Sequence, residues 1–130
     1  MILVDTSVWI DFFHGKQNES SDILFRAIET ADDICTNGII ITEVLQGIKV
    51  DKEFDRIKGI LTDLIYLPIS MNMFINASSI YRALRKQGKT IRSPVDCIIA
   101  SVCIEHEVKL LQNDRDFEVI AKVTPLKLVN

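Results

Sequence analysis

Four acidic residues stand at the edges of apolar segments and are the side chains of this sequence best suited to chemistry: Asp5, Glu43, Asp96 and Asp114. Carboxylates held close together raise one another's pKa, so a cluster of acids is favourable chiefly when a cation neutralises it. Mg²⁺ prefers hard oxygen ligands of this kind. A bound metal can activate water and offset the charge that builds on a phosphoryl oxygen. If the four side chains converge, they form a metal site with this chemistry.

Two of the acids come after short apolar runs. Residues 1–4 and 108–111 lack the alternation of a half-exposed strand, which indicates strands buried on both faces, and the chain leads from them to Asp5 and Asp114. Ligands of open parallel sheets bind in the crevice at the carboxyl ends of the strands. Both acids are therefore expected at one edge of a sheet. The other two acids lie in apolar stretches that predict early turns of helices.

The remaining segments alternate between strand-like and helix-like patterns. Apolar residues at helical spacing follow each apolar run, and Ser20 or Ser21, together with Ser93, are expected helix caps. This alternation predicts a three-layer α/β/α fold with a central, mostly parallel sheet of about five strands, as a single domain over residues 1–130. The predicted strands are 1–4, 32–36, 65–67, 108–111 and 126–129, and the predicted helices are 6–13, 20–31, the segment around Glu43, 52–63, 71–87, one that begins near Pro94, and 116–121.

The charge distribution bears on the choice of partner. A formal net charge of −3 is unusual for a protein that binds nucleic acid, because phosphate contacts require basic side chains. However, five of the fifteen basic residues fall within eleven positions just before Asp96, and they are candidates for contacts to a phosphate backbone: Arg82, Arg85, Lys86, Lys89 and Arg92. The alternative is that this basic run is simply a solvated face of a helix.

Cellular location and redox state can also be anticipated. No segment approaches the roughly 20 apolar residues of a membrane span, and no signal-peptide pattern is present, so we expect a cytoplasmic protein without membrane contact. The three cysteines, Cys35, Cys97 and Cys103, have apolar neighbours and no metal-finger spacing. We expect these thiols to be reduced and buried.

Four sequence blocks carry a resemblance to a known family. They are 4–9, 42–47, 96–100 and 113–117, and each contains one of the four acids. In this order and spacing the blocks resemble the PIN domain, and in particular the small VapC-type ribonuclease toxins of bacterial and archaeal toxin–antitoxin pairs. The resemblance spans essentially the whole chain. It implies a PIN-like version of the predicted α/β fold.

For individual residues, the resemblance implies that the four acids hold Mg²⁺ or Mn²⁺, with Asp116 as a frequent fifth ligand. It makes Thr6 or Ser7 the hydroxyl that orients a carboxylate or contacts a phosphate. The chain departs from the family pattern at Gln112, where many relatives have Thr. That departure puts a supporting contact in doubt, although Asn113 still offers a polar group beside the fourth acid.

For function, the resemblance implies a metal-dependent endoribonuclease. A metal-activated water would hydrolyse an RNA phosphodiester, with transfer RNA as one candidate substrate, and would leave 5′-phosphate and 3′-hydroxyl ends. Two partners are also implied: a small VapB-like antitoxin that inserts a peptide against the acidic pocket, and further copies of the chain in a homodimer or larger assembly. Trp9, Phe12 and Phe13 could serve such contacts or stack on bases, although their helical spacing favours the core.

Each acid also has a purely structural explanation. These explanations are a helix cap for Asp5, Asp114 and Asp116, exposure on a helix for Glu43 and a favourable interaction with a helix dipole for Asp96. A non-catalytic PIN-like module that binds RNA or protein is one alternative, although the intact acids argue against it. A phosphoacceptor receiver domain is another, and it is less favoured because Thr6, rather than a second acid, follows Asp5.

Overall fold

Four short parallel strands form the central sheet: β1 (Ile2–Val4), β2 (Ile34–Thr36), β3 (Ile65–Tyr66) and β4 (Lys109–Leu111). The computed structural model describes all residues from 1 to 130. Each strand pairs in parallel with its neighbours, in the order β3-β2-β1-β4, and Leu3 of the central strand lies opposite Cys35 on one side and Leu110 on the other. Leu3 and Val4 are fully buried, as expected for strands covered on both faces.

The prediction of a fifth strand at residues 126–129 is wrong. This segment runs beside β4 and forms a single parallel bridge, in which Leu128 lies opposite Leu110. The backbone N–H of Leu110 donates to the carbonyl of Lys127, and that of Val129 donates to the carbonyl of Leu110, both at 2.9 Å. Only the middle residue of β4, Leu110, forms backbone hydrogen bonds with this segment. The segment therefore completes the edge of the sheet without forming a regular strand.

Seven helices connect the strands: α1 (Thr6–Phe13), α2 (Glu19–Glu29), α3 (Gly38–Gln46), α4 (Asp51–Thr62), α5 (Met71–Lys86), α6 (Pro94–His106) and α7 (Arg115–Val123). Of the two serine caps predicted from the sequence, one is present. Ser93 caps α6 by accepting from the N–H of Val95. The predicted cap of α2 at Ser20 or Ser21 is wrong, because Asn18 accepts from the N–H of Ser21 while the Ser21 hydroxyl accepts from the N–H of Asn18.

The core draws on β1, β2 and β4 and on the inner faces of the helices, whereas both residues of β3 are exposed. Trp9 is fully buried, so its side chain belongs to the core and is not available to stack on a base, whereas Phe12 and Phe13 are half-buried. All three cysteines are free thiols inside the core, as predicted. None of the helices is both long and apolar enough to cross a membrane. The parallel sheet thus gathers the carboxyl ends of its strands along one edge, and the acids follow that edge.

Candidate active site

Asp5 occupies the junction between β1 and α1. Its Oδ2 accepts from the backbone N–H of Ser7 at 3.2 Å and from the Ser7 hydroxyl at 2.7 Å, so Asp5 caps α1. Both bonds go to Oδ2, which leaves Oδ1 available to a ligand. Only 7% of the residue is exposed, and burial raises the pKa of its carboxyl even though the bonds from Ser7 lower it. Capping and ligand binding are therefore compatible, because each uses a different oxygen of this carboxylate.

Three carboxylates form the tightest acidic group of the chain. Asp96, Asp114 and Asp116 each place one oxygen within 4.8 Å of the others, and we call them the carboxylate triad. Burial is the largest cause, and together with the charges of Asp114, Asp5 and Asp116, in that order, it raises the pKa of Asp96 to about 7. Such mutual repulsion is relieved by a cation. All donors of the triad are carboxylate oxygens, which suits a hard divalent ion such as Mg²⁺ or Mn²⁺.

The outer members of the triad lie at the start of α7. Asp114 caps this helix, since its Oδ1 accepts from the backbone N–H of Asp116 at 3.0 Å. Asp116 lies in the first turn of α7, so the alternative that Asp116 is merely a helix cap is wrong. Asp96 lies in the first turn of α6, as predicted. The tight group therefore includes Asp116, the acid that the sequence supported least.

Glu43 and Asp5 lie on the flank of the triad. Glu43 is in the second turn of α3, and its Oε1 accepts from the hydroxyl of Thr6 at 2.8 Å. The charge of Glu43 contributes to the raised pKa of Asp5, and the charge of Asp5 contributes to that of Asp96. Asp5 therefore links Glu43 to the triad electrostatically, and neither of the two belongs to the group of closest oxygens. The Thr6 hydroxyl donates to Glu43 and the Ser7 hydroxyl donates to Asp5, so each of the two hydroxyls orients a different acid.

Asn37 positions Glu43 from the end of β2. Its side chain is fully buried, and its Oδ1 accepts from the backbone N–H groups of Ile39 and Ile40, both at 3.1 Å. This cap fixes the direction in which α3 leaves the sheet. Sequence reasoning did not single out Asn37, although an Asn directly before an apolar helical stretch is a recognisable cap signal.

Gln112 and Asn113 support the loop between β4 and α7. Gln112 is buried, and its Oε1 accepts from the backbone N–H of Asp114 at 2.6 Å, so this departure from the family pattern supplies a contact to the fourth acid. Asn113 donates from Nδ2 to Oδ2 of Asp11 at 2.6 Å. The same oxygen of Asp11 accepts from Nδ2 of Asn18 at 3.0 Å. Asp11 was missed because nothing in a solvent-facing helical position indicates a partner 102 residues away.

Of the five basic residues before Asp96, one reaches the acids. Arg92 donates from Nη2 to Oδ2 of Asp114 at 2.5 Å, and its Nε lies 3.5 Å from Oδ2 of Asp116. The backbone N–H of Arg92 also donates to Oδ2 of Asp116 at 3.0 Å. The other four are exposed side chains on α5 or in the loop after it, and none forms an ion pair: Arg82, Arg85, Lys86 and Lys89.

The fold and the site define an α/β protein whose acids gather along the carboxyl edge of a parallel sheet. Residues 2–123 match the family model of the PIN domain. The chain is 34% identical over 129 residues to VapC ribonuclease Mb1587 of Mycobacterium bovis, an alignment that covers 98% of this chain and 96% of the relative. This protein therefore belongs to the PIN domain family, among the VapC proteins.

Solved structures share the same fold. VapBC2 from Rickettsia felis bound to a DNA fragment from its promoter aligns with a TM-score of 0.78 at 19% identity, covering 100% of this chain and 98% of that chain. A toxin–antitoxin complex from Klebsiella pneumoniae aligns with a TM-score of 0.73 at 21% identity, covering 98% of this chain and 100% of that chain. The order of strands and helices in this chain is thus one that other proteins adopt at low sequence identity.

Proposed function

We propose that this protein is a Mg²⁺- or Mn²⁺-dependent endoribonuclease and the toxin of a toxin–antitoxin pair. The observation that carries the proposal is the carboxylate triad, with Asp5 beside it, in a chain that is 34% identical to a VapC ribonuclease. Arg92 pairs with two of the three acids, yet the pKa of Asp96 is still raised to about 7, so the group retains a repulsion that a divalent cation would relieve. A cytoplasmic location belongs to the same proposal, since RNA is the substrate.

The proposed metal ligands are the carboxylate triad, with Asp5 and Glu43 as the flanking acids. When bound, a divalent cation would supply a lowered pKa for water and charge compensation for the phosphoryl oxygens. Both hydrogen bonds of Asp5 go to Oδ2, so Oδ1 is the oxygen that would either contact the cation or accept a proton from an attacking water. Thr6 and Ser7 hold Glu43 and Asp5 in place.

RNA would approach the acids along the exposed basic residues. Arg82, Arg85 and Lys86 lie on the second half of α5, and Lys89 lies in the loop that leads to Arg92. Phosphate contacts from this side would place a phosphodiester next to the triad, because Arg92 touches two of its members. Transfer RNA is the substrate class that we propose to test first.

Two protein partners complete the proposal. An apolar groove of about 280 Å³ adjoins Glu43, and we propose it as the place where a VapB-like antitoxin lays a peptide against the acids. Its apolar lining includes Ile10, Phe13, Val44, Ile48 and Ile57. For self-association, α5 exposes apolar side chains at its amino end, with 78% of Met71, 47% of Phe74 and 55% of Ile75 accessible. We propose that this patch pairs with a second copy of the chain.

The proposal can be tested with Asp96→Asn, which removes a charge from the triad without changing the side chain's shape. We expect cleavage of transfer RNA in Mg²⁺ to fall by at least about a hundredfold, because several kcal/mol of charge stabilisation are lost. Glu105→Gln is the matched control, since Glu105 is exposed near the other end of α6. Chelation of the metal should abolish cleavage by the unmodified protein. Full activity of Asp96→Asn in a clean preparation would reject the assignment, and RNA binding without any cleavage would favour the non-catalytic alternative.

A further inference from the structure

Arg92 is the only basic side chain that forms an ion pair with the acids of the site. Its side chain is 77% exposed, whereas those of Asp114 and Asp116 are 18% and 16% exposed. The guanidinium therefore reaches from solvent onto two carboxylates that are largely shielded. The other ion pair of the chain, between Arg56 and Glu53, lies within one turn of α4 and has no connection to the site.

We propose that Arg92 is a built-in counter-ion that competes with the divalent cation for Asp114 and Asp116 and thereby sets the metal affinity of the site. This inference rests on the metal site proposed above. It assigns to Arg92 a role that the four other residues of the basic run, which touch no acid, do not share.

The competition follows from the oxygens that are already engaged. Asp114 uses Oδ1 to accept from the N–H of Asp116 and Oδ2 to accept from Arg92, so neither oxygen is free of a donor. Asp116 uses Oδ2 for both the side chain and the backbone N–H of Arg92. A divalent cation placed against these oxygens would be repelled by a guanidinium in contact with them. The Arg92 side chain must therefore move away as the metal binds.

The side chain can leave without disturbing the fold. Its only hydrogen bonds are those to the two acids, and it is otherwise surrounded by solvent. The backbone N–H of Arg92 keeps its bond to Asp116 at 3.0 Å whichever way the side chain points. The loop before α6 consequently stays attached to the start of α7, and the exchange of cations requires only a rotation of one arginine.

The inference predicts that removal of the guanidinium strengthens metal binding. We would measure Mn²⁺ affinity by electron paramagnetic resonance of the free ion, using full-length protein stripped with EDTA, without RNA and at low ionic strength. Arg92→Gln should lower the Kd for Mn²⁺ by about fivefold, the size expected when the exposed ion pairs of one arginine no longer have to be broken. Arg92→Lys keeps the charge but lacks the planar guanidinium that can bond both acids, so its Kd for Mn²⁺ should lie between those of the unmodified protein and Arg92→Gln. Added salt should reduce the difference.

Arg115→Gln is the matched control. Arg115 lies between the two acids in sequence, is exposed, and forms no ion pair, so it carries the same charge near the site without the contact. Its removal should change the Kd by less than about twofold, the effect of a screened charge alone. An equal change in Arg92→Gln and Arg115→Gln would show a general charge effect and overturn the competition, as would unchanged or weaker Mn²⁺ binding in Arg92→Gln.

Thermal unfolding supplies an independent measure. Without metal, Arg92→Gln should melt a few degrees, about 2–4 °C, below the unmodified protein, because the two acids lose their counter-ion. With saturating Mn²⁺ this gap should close, because the metal then neutralises the acids in both proteins. A gap that persists in Mn²⁺ contradicts the inference. Asp96→Asn separates the two proposals: if it binds Mn²⁺ as tightly as the unmodified protein, the metal site itself is wrong, whatever Arg92 does.

Discussion

The hydroxyl of Thr6 donates to Oε1 of Glu43 at 2.8 Å and joins the first residue of α1 to the second turn of α3. The bond spans 37 positions of the chain and is partly buried. The bond orients Glu43 beside Asp5, and the charge of Glu43 contributes to the raised pKa of Asp5. The hydroxyl of Thr6 thus holds the acid from α3 beside Asp5.

Replacement of Thr6 by Val removes this donor and keeps the shape of the side chain. We expect cleavage of RNA to fall by about tenfold to a hundredfold, the usual effect of losing a residue that orients a metal-site carboxylate. Stability should change by no more than about 1 kcal/mol, because the bond is only partly buried. Steady-state cleavage rates and urea unfolding of Thr6→Val and Thr6→Ser measure both effects. Thr6→Ser keeps the hydroxyl and should retain most activity; equal activity of all three proteins would show that the bond is dispensable.

Asp96 should make the stability of the metal-free protein depend on pH. Its pKa is about 7 in the folded protein against an ordinary value of 3.8. Between these two values the folded protein binds more of the proton than the unfolded chain does, so a rise in pH lowers the free energy of unfolding. This loss of stability is complete above the pKa of Asp96 in the folded protein, about 7, and absent below its ordinary pKa of 3.8.

The comparison of the unmodified protein with Asp96→Asn isolates this contribution. In EDTA at pH 8, Asp96→Asn should be the more stable protein by about 1 kcal/mol, a figure reduced from the full shift because the side chain is partly exposed. Near pH 4 the two proteins should unfold at similar urea concentrations. Parallel curves of unfolding free energy from pH 4 to pH 8 would mean that burial and the neighbouring acids do not raise the pKa of Asp96 as the structure implies.

The contact between Asp11 and Asn113 predicts a second positioning effect. Asp11→Ala removes the acceptor that Asn113 and Asn18 share, so the loop that carries Asp114 should lose its attachment to α1. We expect Mn²⁺ affinity and RNA cleavage to fall together by about tenfold. Asp11→Asn retains an acceptor oxygen, so its Mn²⁺ affinity and RNA cleavage should fall much less. A loss of the same size in both variants would point to the charge of Asp11 and not to its hydrogen bonds.

Trp9 should matter for stability and not for RNA binding. Its ring is fully buried and stacks on Phe13, with centroids 5.5 Å apart, while Phe12 packs against it edge to face. Trp9→Ala should lower the free energy of unfolding by about 3–5 kcal/mol, measured in urea, as for other large aromatic truncations in cores. Trp9→Phe removes no hydrogen bond, because Nε1 has no partner, and should keep both fold and RNA affinity. A stable Trp9→Ala protein that no longer binds RNA would reverse this assignment.

The sequence by itself determined the elements and the positions of the acids along them. Bare apolar runs specify β1 and β4, and Asp5, Ser93 and Asp114 act as helix caps within a few residues of their own positions. These features are local, since a cap or a buried strand depends on neighbouring residues and their periodicity. The carboxyl edge of a parallel sheet then follows from the alternation of strands and helices, which is why four separated acids could be expected along one side.

Only the tertiary structure decided which side chains meet within that edge. It placed Asp116 in the tight triad and Asp5 and Glu43 on its flank, and it reduced the fifth strand to a single bridge. It also joined Asp11 to Asn113 across 102 positions and Arg92 to two acids more than twenty positions away. Such contacts depend on where α6 and α7 begin in space and on which rotamer each side chain adopts. Neither quantity is encoded in a short pattern of residue types, because both are set by the packing of the whole chain.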